Sequence, residues 1–145
     1  MKRRKARELA LKVLFARDIG KNEPQVIMEQ LFAEGNFEEK GQEFCRQLVE
    51  GVLNHIEDID RLISQYATEW SMDRMVAVDR NLMRIAIAEF IFTDGVPGAV
   101  AVNEAIELAK TYGSEESPRF INGVLGNILN DLALIKPDKA IDNQE

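Results

Sequence analysis

Seven of the chain's 18 Lys and Arg residues fall within its first 17 positions: Lys2, Arg3, Arg4, Lys5, Arg7, Lys12 and Arg17. Glu8 is the only acid among them, so this stretch carries about +6 on a chain whose net charge is −7. An acidic body repels nucleic acid over most of its surface. A basic arm on such a body is suited to one localised, directional contact with phosphate. Local stability does not account for the arm. No Ser, Thr, Asp or Asn stands in residues 1–7 to cap a helix, and positive charge at a helix N-terminus opposes the macrodipole. A solvated charge run is the bland alternative; the lopsided balance favours an RNA or DNA contact.

A second cluster lies at Pro118-Arg119-Phe120-Ile121-Asn122-Gly123. It sets a cation, an aromatic ring and an amide at the start of a helix, where free backbone N–H groups attract phosphate and an exposed ring stacks on an unpaired base. The competing reading places Phe120 in the core and makes Gly123 a close-packing position.

Catalytic and metal-binding chemistry is sparse. The chain has one histidine and one cysteine, so neither a histidine pair for a metal nor an internal disulfide can form. His55 reads as a surface or capping residue, and Cys45, beside Phe44, as core. Glu104 and Glu107 read as a wet helix face, while Glu38-Glu39 and Glu115-Glu116 sit at helix starts that favour negative charge. No phosphate-cradling glycine motif is present. The expectation is a binding protein without cofactor, not an enzyme.

The elements that position these residues are all helical. The first should run from Arg3 to Ile19 and stop at Gly20, with Asn22 as cap and Pro24 opening a second helix to Glu34. A third should begin near Glu38 and reach His55, a fourth should span Ile56 to Ala67, and Ser71 or Asp73 should cap a turn before Asp79–Thr93. Asp94-Gly95-Val96-Pro97 is the clearest break. Helices over Gly98–Tyr112 and from Ser117, as N-cap before Pro118, to Ile135 complete the chain, leaving residues 136–145 as a disordered tail. No stretch alternates with period two. Length suits a single domain over 1–135, with 46% hydrophobic and 30% charged residues. No apolar run approaches the roughly 20 residues that span a bilayer, and the basic start lacks a small-residue cleavage site. With one unpaired cysteine, the expected compartment is the cytoplasm.

The opening Arg3-Arg4-Lys5-Ala6-Arg7-Glu8-Leu9-Ala10 resembles the arginine-rich start of the transcription antitermination factor NusB family. So do Val78 to Ala86 with Glu89, the segment Val96-Pro97 through Lys110, and Phe120 to Leu125. The blocks follow the family's order over about residues 3–133. The resemblance implies an all-α fold of about seven helices in two packed three-helix bundles, over about 3–67 and 73–135. It implies that the chain pairs with ribosomal protein NusE, binds single-stranded boxA RNA of nascent ribosomal RNA transcripts, and joins the antitermination complex that keeps RNA polymerase elongating through terminators. By position it assigns RNA contact to Arg3, Arg4, Lys5, Arg7, Phe120 and Asn122, to which the basic arm and the helix-start cluster add Lys2 and Arg119, and the NusE interface to Phe15, Asp79 and Glu89. Lys5 replaces a frequent arginine, losing bidentate geometry there, and Pro118 and Gly126 also depart from the pattern. Monomer and homodimer both stay open. Two alternatives remain: a helical protein-interaction scaffold, and a module like the RNA-binding ones of RNA cytosine methyltransferases, although the chain ends long before a cofactor domain would fit.

Overall fold

A computed structural model describes residues 2–20, 22–93 and 96–135, with the side chains of Lys2 and of 133–135 outside that description. The tail expected at 136–145, and Asp94-Gly95 of the expected break, lie outside it too. Among the described residues seven α-helices follow one another: α1 Lys2–Gly20, α2 Pro24–Glu34, α3 Glu39–Asn54, α4 Ile56–Tyr66, α5 Ala77–Ile87, α6 Gly98–Tyr112 and α7 Ser117–Ile135. No strand occurs among the described residues, so the fold is all-α, as expected.

Helix α1 is the hinge of the architecture. Its Ala6, Leu9, Ala10, Leu11, Val13 and Leu14 are buried, at the three- and four-residue spacing that builds one apolar stripe. That stripe packs on α2, on α3 and, across the middle of the molecule, on α5. Helix α3 answers with Phe44, Cys45, Leu48, Val49 and Val52. Helices α5, α6 and α7 form the second group, built on Leu82, Ile85, Ala86, Ala101, Ala105, Leu108, Ile121 and Leu125. One continuous core results, in which each fully buried Leu or Ile contributes about 1.5–3 kcal/mol. Helix α4 follows α3 in the chain yet also packs on α5 and α7, and the Tyr66 hydroxyl donates to Asp131 of α7 at 2.5 Å.

One expected cap is filled, and one expected helix is divided. His55 alone turns α3 into α4, with φ −127° and ψ 22°, and its ring stacks on Phe92 at 3.7 Å between centroids. The single helix expected over Asp79–Thr93 is instead α5 followed by one π-helical turn, Ala88–Phe92. The Thr93 hydroxyl, at the end of that turn, donates back to the Glu89 carbonyl, and Glu89 itself is fully buried.

Candidate nucleic-acid interface

The first turn of α1 presents Arg3, Arg4 and Lys5 to solvent. Each is held differently. The Arg3 guanidinium lies over the Phe44 ring, 4.8 Å from its centroid, and so keeps its cation at the surface while its stem is braced. Arg4 donates twice to Glu104 of α6, at 2.9 and 2.6 Å. Those bonds, with the charge of Arg7 nearby, hold the Glu104 carboxyl below the usual carboxylate range despite its partial burial. Lys5 reaches Glu8 only at 3.9 Å and is the freest of the three. Lys2 begins the same helix.

Arg7 does not belong with them. It is 4% exposed, and its guanidinium meets the buried Glu89 through two bonds of 2.7 Å and Glu104 through a third of 3.3 Å. Its flat face also lies 5.4 Å from the Phe44 ring centroid. A cation enclosed in this way has its donor edges engaged by Glu89 and Glu104, and Arg7 braces the arm from beneath. Glu89, which the resemblance assigns to the NusE interface, is fully buried as its partner. The signal was present in the spacing: Arg7 stands three, four and seven residues before Ala10, Leu11 and Leu14, on the buried stripe. Glu104, expected on a wet helix face, is instead the shared acceptor for Arg4 and Arg7; Glu107 pairs with Lys110 at 2.9 Å.

Helix α6 links the arm to the second cluster. At its middle Glu104 takes Arg4; at its last residue Tyr112 hydrogen-bonds Glu8. Burial and that bond push the Tyr112 hydroxyl up to about 12. The chain then enters α7, where Arg119 and Asn122 are exposed and Phe120 is half-buried against the core. Phe120 is therefore partly packed inward and partly exposed. Gly123 is exposed and has no neighbour that an added Cβ would meet, so it is not a close-packing position.

Ser117 does not cap α7 in the expected way. Its hydroxyl accepts from the Ser114 N–H at 2.9 Å, and it is 1% exposed. The tight approach requires Gly113, because a Cβ there would stand 2.6 Å from the Ser117 Oγ and 2.9 Å from the Ala109 carbonyl oxygen. Ser117 also hydrogen-bonds Asp79. Asp79 is 5% exposed, and burial, opposed by the Ser117 bond, raises its carboxyl above the ordinary range. Asp79, which the resemblance assigns to the NusE face, is thus largely enclosed by its own chain. Of the three residues placed there, Phe15 alone is exposed, at 38%, with the more exposed Ile19 one helical turn on.

A polar network missed at the sequence level fixes the region around Asp79. Asp18, near the end of α1, accepts from Arg80 at 3.1 Å, Asn81 at 3.0 Å and Arg84 at 2.8 Å. Arg84 grips Asp60 of α4 with two further bonds of 2.8 and 2.9 Å. Arg80 also donates to the carbonyls of Met72 and Met75 and so pins the short 3-10 turn Met72–Arg74 that precedes α5. One acid thus joins α1, α5 and, through Arg84, α4.

Cys45 is fully buried and its thiol is pushed up to about 12 by burial, a packing residue and not a nucleophile. Among the described residues no group of three or more His, Cys, Asp or Glu is placed to hold a metal ion, and no helix is long and apolar enough to cross a membrane.

Fold and site together define an all-α, two-bundle protein with a cationic helix end and an open aromatic-lined helix start. The NusB family model matches residues 4–130, and the chain belongs to the NusB family. It is 48% identical over 131 residues to the transcription antitermination protein NusB of Desulforamulus reducens, covering 90% of this chain and 92% of that one. Among solved structures, T. maritima NusB superposes with a TM-score of 0.83 at 36% identity, covering 88% of this chain and 90% of that one. A chain from the complex of antitermination factors NusB and NusE with double-stranded RNA superposes at 0.82 with 30% identity, covering 90% and 97%.

Proposed function

We propose that this chain is an antitermination factor that binds boxA RNA of nascent ribosomal RNA transcripts together with NusE, and so helps RNA polymerase elongate through terminators. The carrying observation is the exposed triad Arg3, Arg4 and Lys5, raised on the Arg7–Glu89 strut of an otherwise acidic protein. The solved NusB–NusE–RNA complex, similar over 90% of this chain, supports both partners. Phe120, Arg119 and Asn122 supply a second RNA contact at α7, and the exposed strip Phe15–Ile19 is the surface offered to NusE.

Fluorescence anisotropy with a labelled boxA RNA and a scrambled control, with and without NusE and across salt concentrations, tests this reading. Tighter binding of boxA that strengthens with NusE is the expected result; no binding even with NusE would refute it. Replacing Arg3, Arg4 and Lys5 together with alanine is expected to flatten the plot of log K against log salt by about 2, since each single-strand phosphate contact contributes about 0.7. The melting temperature should hardly change, because these side chains are exposed. Phe120→Ala is expected to cost roughly 1–3 kcal/mol of RNA binding, with a smaller stability loss than removal of a fully buried ring.

A further inference from the structure

Glu104 lies beneath the arm and divides its two oxygens between two arginines. Its Oε2 accepts from Arg4 Nη2 at 2.6 Å, and its Oε1 accepts from Arg4 Nε at 2.9 Å and from Arg7 Nη1 at 3.3 Å. Arg7 thereby has all three of its nitrogens engaged, since its Nε and Nη2 donate to Glu89. Arg4 does not. Its side edge, Nε with Nη2, is spent on Glu104, while Nη1 has no partner among the described residues and the side chain stays 44% exposed. The end of a guanidinium, Nη1 with the second hydrogen of Nη2, is itself a fork that fits two phosphate oxygens. The Glu104 side chain is only 14% exposed, so it meets Arg4 from the protein side and leaves that end to solvent.

We infer that Glu104 is a positioning residue for RNA, holding Arg4 by its side edge so that the end edge stands ready for a backbone phosphate. The inference rests on the RNA-binding reading above and adds to it a residue that need not touch RNA itself. An unheld arginine gives up rotamer freedom when it closes on a phosphate, whereas a held one has given it up already in folding. The opposite effect would be masking, in which the carboxylate competes with phosphate for the same cation. Geometry weighs against masking on two counts. The two anions would use different edges of Arg4, so a phosphate need not displace Glu104. Arg7 also donates to Glu104, so the carboxylate is answered from two sides before RNA arrives. Arg3 is braced to the same end by other means, its cation set over the Phe44 ring. Only an arginine at position 4 serves this scheme, because an ammonium has no second edge to offer once the first is held.

The test uses the full chain with NusE and a labelled boxA RNA, with melting temperatures measured alongside the affinities. Glu104→Gln is the informative variant. Its amide oxygen can keep the Oε1 bonds to Arg7 and to Arg4 Nε, but its NH2 opposes Arg4 Nη2 and opens the fork. RNA binding is expected to weaken roughly 3- to 10-fold, the cost of ordering one long side chain. In an Arg4→Ala background the same substitution should change affinity by less than about twofold, since no arginine is left to hold; a merely structural loss would appear in both backgrounds. Arg4→Lys, at an exposed site that tolerates it, keeps the charge without the fork and should weaken binding by a similar factor. Tyr112→Phe is the control: it breaks another tie of α6 to α1, the bond to Glu8, without touching Arg4, and should leave RNA affinity within about twofold. Tighter binding by Glu104→Gln would mean that Glu104 masks Arg4, and overturns the proposal. Unchanged affinity in Glu104→Gln or Arg4→Lys overturns it too, as does an equal loss in both backgrounds; in each case RNA binding itself stands. If the unaltered protein binds no RNA, the parent reading fails and the positioning role falls with it.

Discussion

Arg7→Ala is expected to lose about 3–5 kcal/mol of folding stability, the cost of stranding a buried charge, and to lower the melting temperature by about 10–15 °C. The reason is the isolation of its partner. Glu89 is fully buried in the π turn and accepts both of its bonds from Arg7 at 2.7 Å, so the truncated protein must hold a carboxylate without a counterion or protonate it. Replacing both partners with apolar residues of similar size, Arg7→Met with Glu89→Leu, should recover most of the loss, since a buried ion pair is often no better than good packing. Urea denaturation of the two variants checks this. The double variant also separates support from contact. If Arg7 acts only beneath the arm, a folded double variant should bind RNA within about twofold of the parent. A large affinity loss in a fully folded double variant would restore Arg7 as a contact.

The second large effect is expected at Asp18. Asp18→Ala removes the common acceptor of Arg80, Asn81 and Arg84 and should cost about 2–3 kcal/mol, less than at Arg7 because Arg84 keeps Asp60 and Arg80 keeps two carbonyls. The loss should be accompanied by faster proteolysis near the turn at Met72–Arg74, which Arg80 then holds alone. The same group sets acid sensitivity. Desolvation pushes the Asp18 carboxyl up, but Arg84, Asn81 and Arg80 together outweigh it and leave it below the usual range; Glu104 is lowered by Arg4. A carboxyl depressed in the fold stabilises fully above its unfolded value of about 4 and loses that contribution as pH falls through the depressed value. Stability should therefore decline from about pH 4 downward, and Asp18→Asn should make that decline shallower. Asp79 acts in the opposite sense. Its raised carboxyl favours the protonated fold, so its burial costs stability at neutral pH, and Asp79→Asn should not lower the melting temperature. Thermal melts between pH 2.5 and 7 would distinguish the two carboxyls.

Much of this was legible along the chain because helices are local. The spacing of Leu9, Val13 and Leu14, or of Phe44, Leu48 and Val52, reports burial directly, and Pro24, Pro97 and Pro118 mark helix starts to within a residue or so. The exposed arm at Arg3, Arg4 and Lys5 was equally visible, since an end-loaded charge run needs no tertiary contact to be recognised. Glu89 was harder. Its helical spacing from the buried Leu82, Ile85 and Ala86 points inward, but nothing near it in the chain announces Arg7, the distant partner that makes a buried carboxylate tolerable.

By itself, then, the order of residues determined the helices, the all-α class, the basic arm and the family motifs, all of which rest on neighbours within a few positions. Only the tertiary structure decided which charges stay at the surface and which are buried struts, because that depends on partners far apart in the chain. Arg7 and Arg4 are three residues apart on one basic helix, yet one closes on Glu89 in the core and the other on Glu104 at the surface. The same holds for Asp79, which folding set beside Ser117 and left with one of its oxygens covered and without a donor.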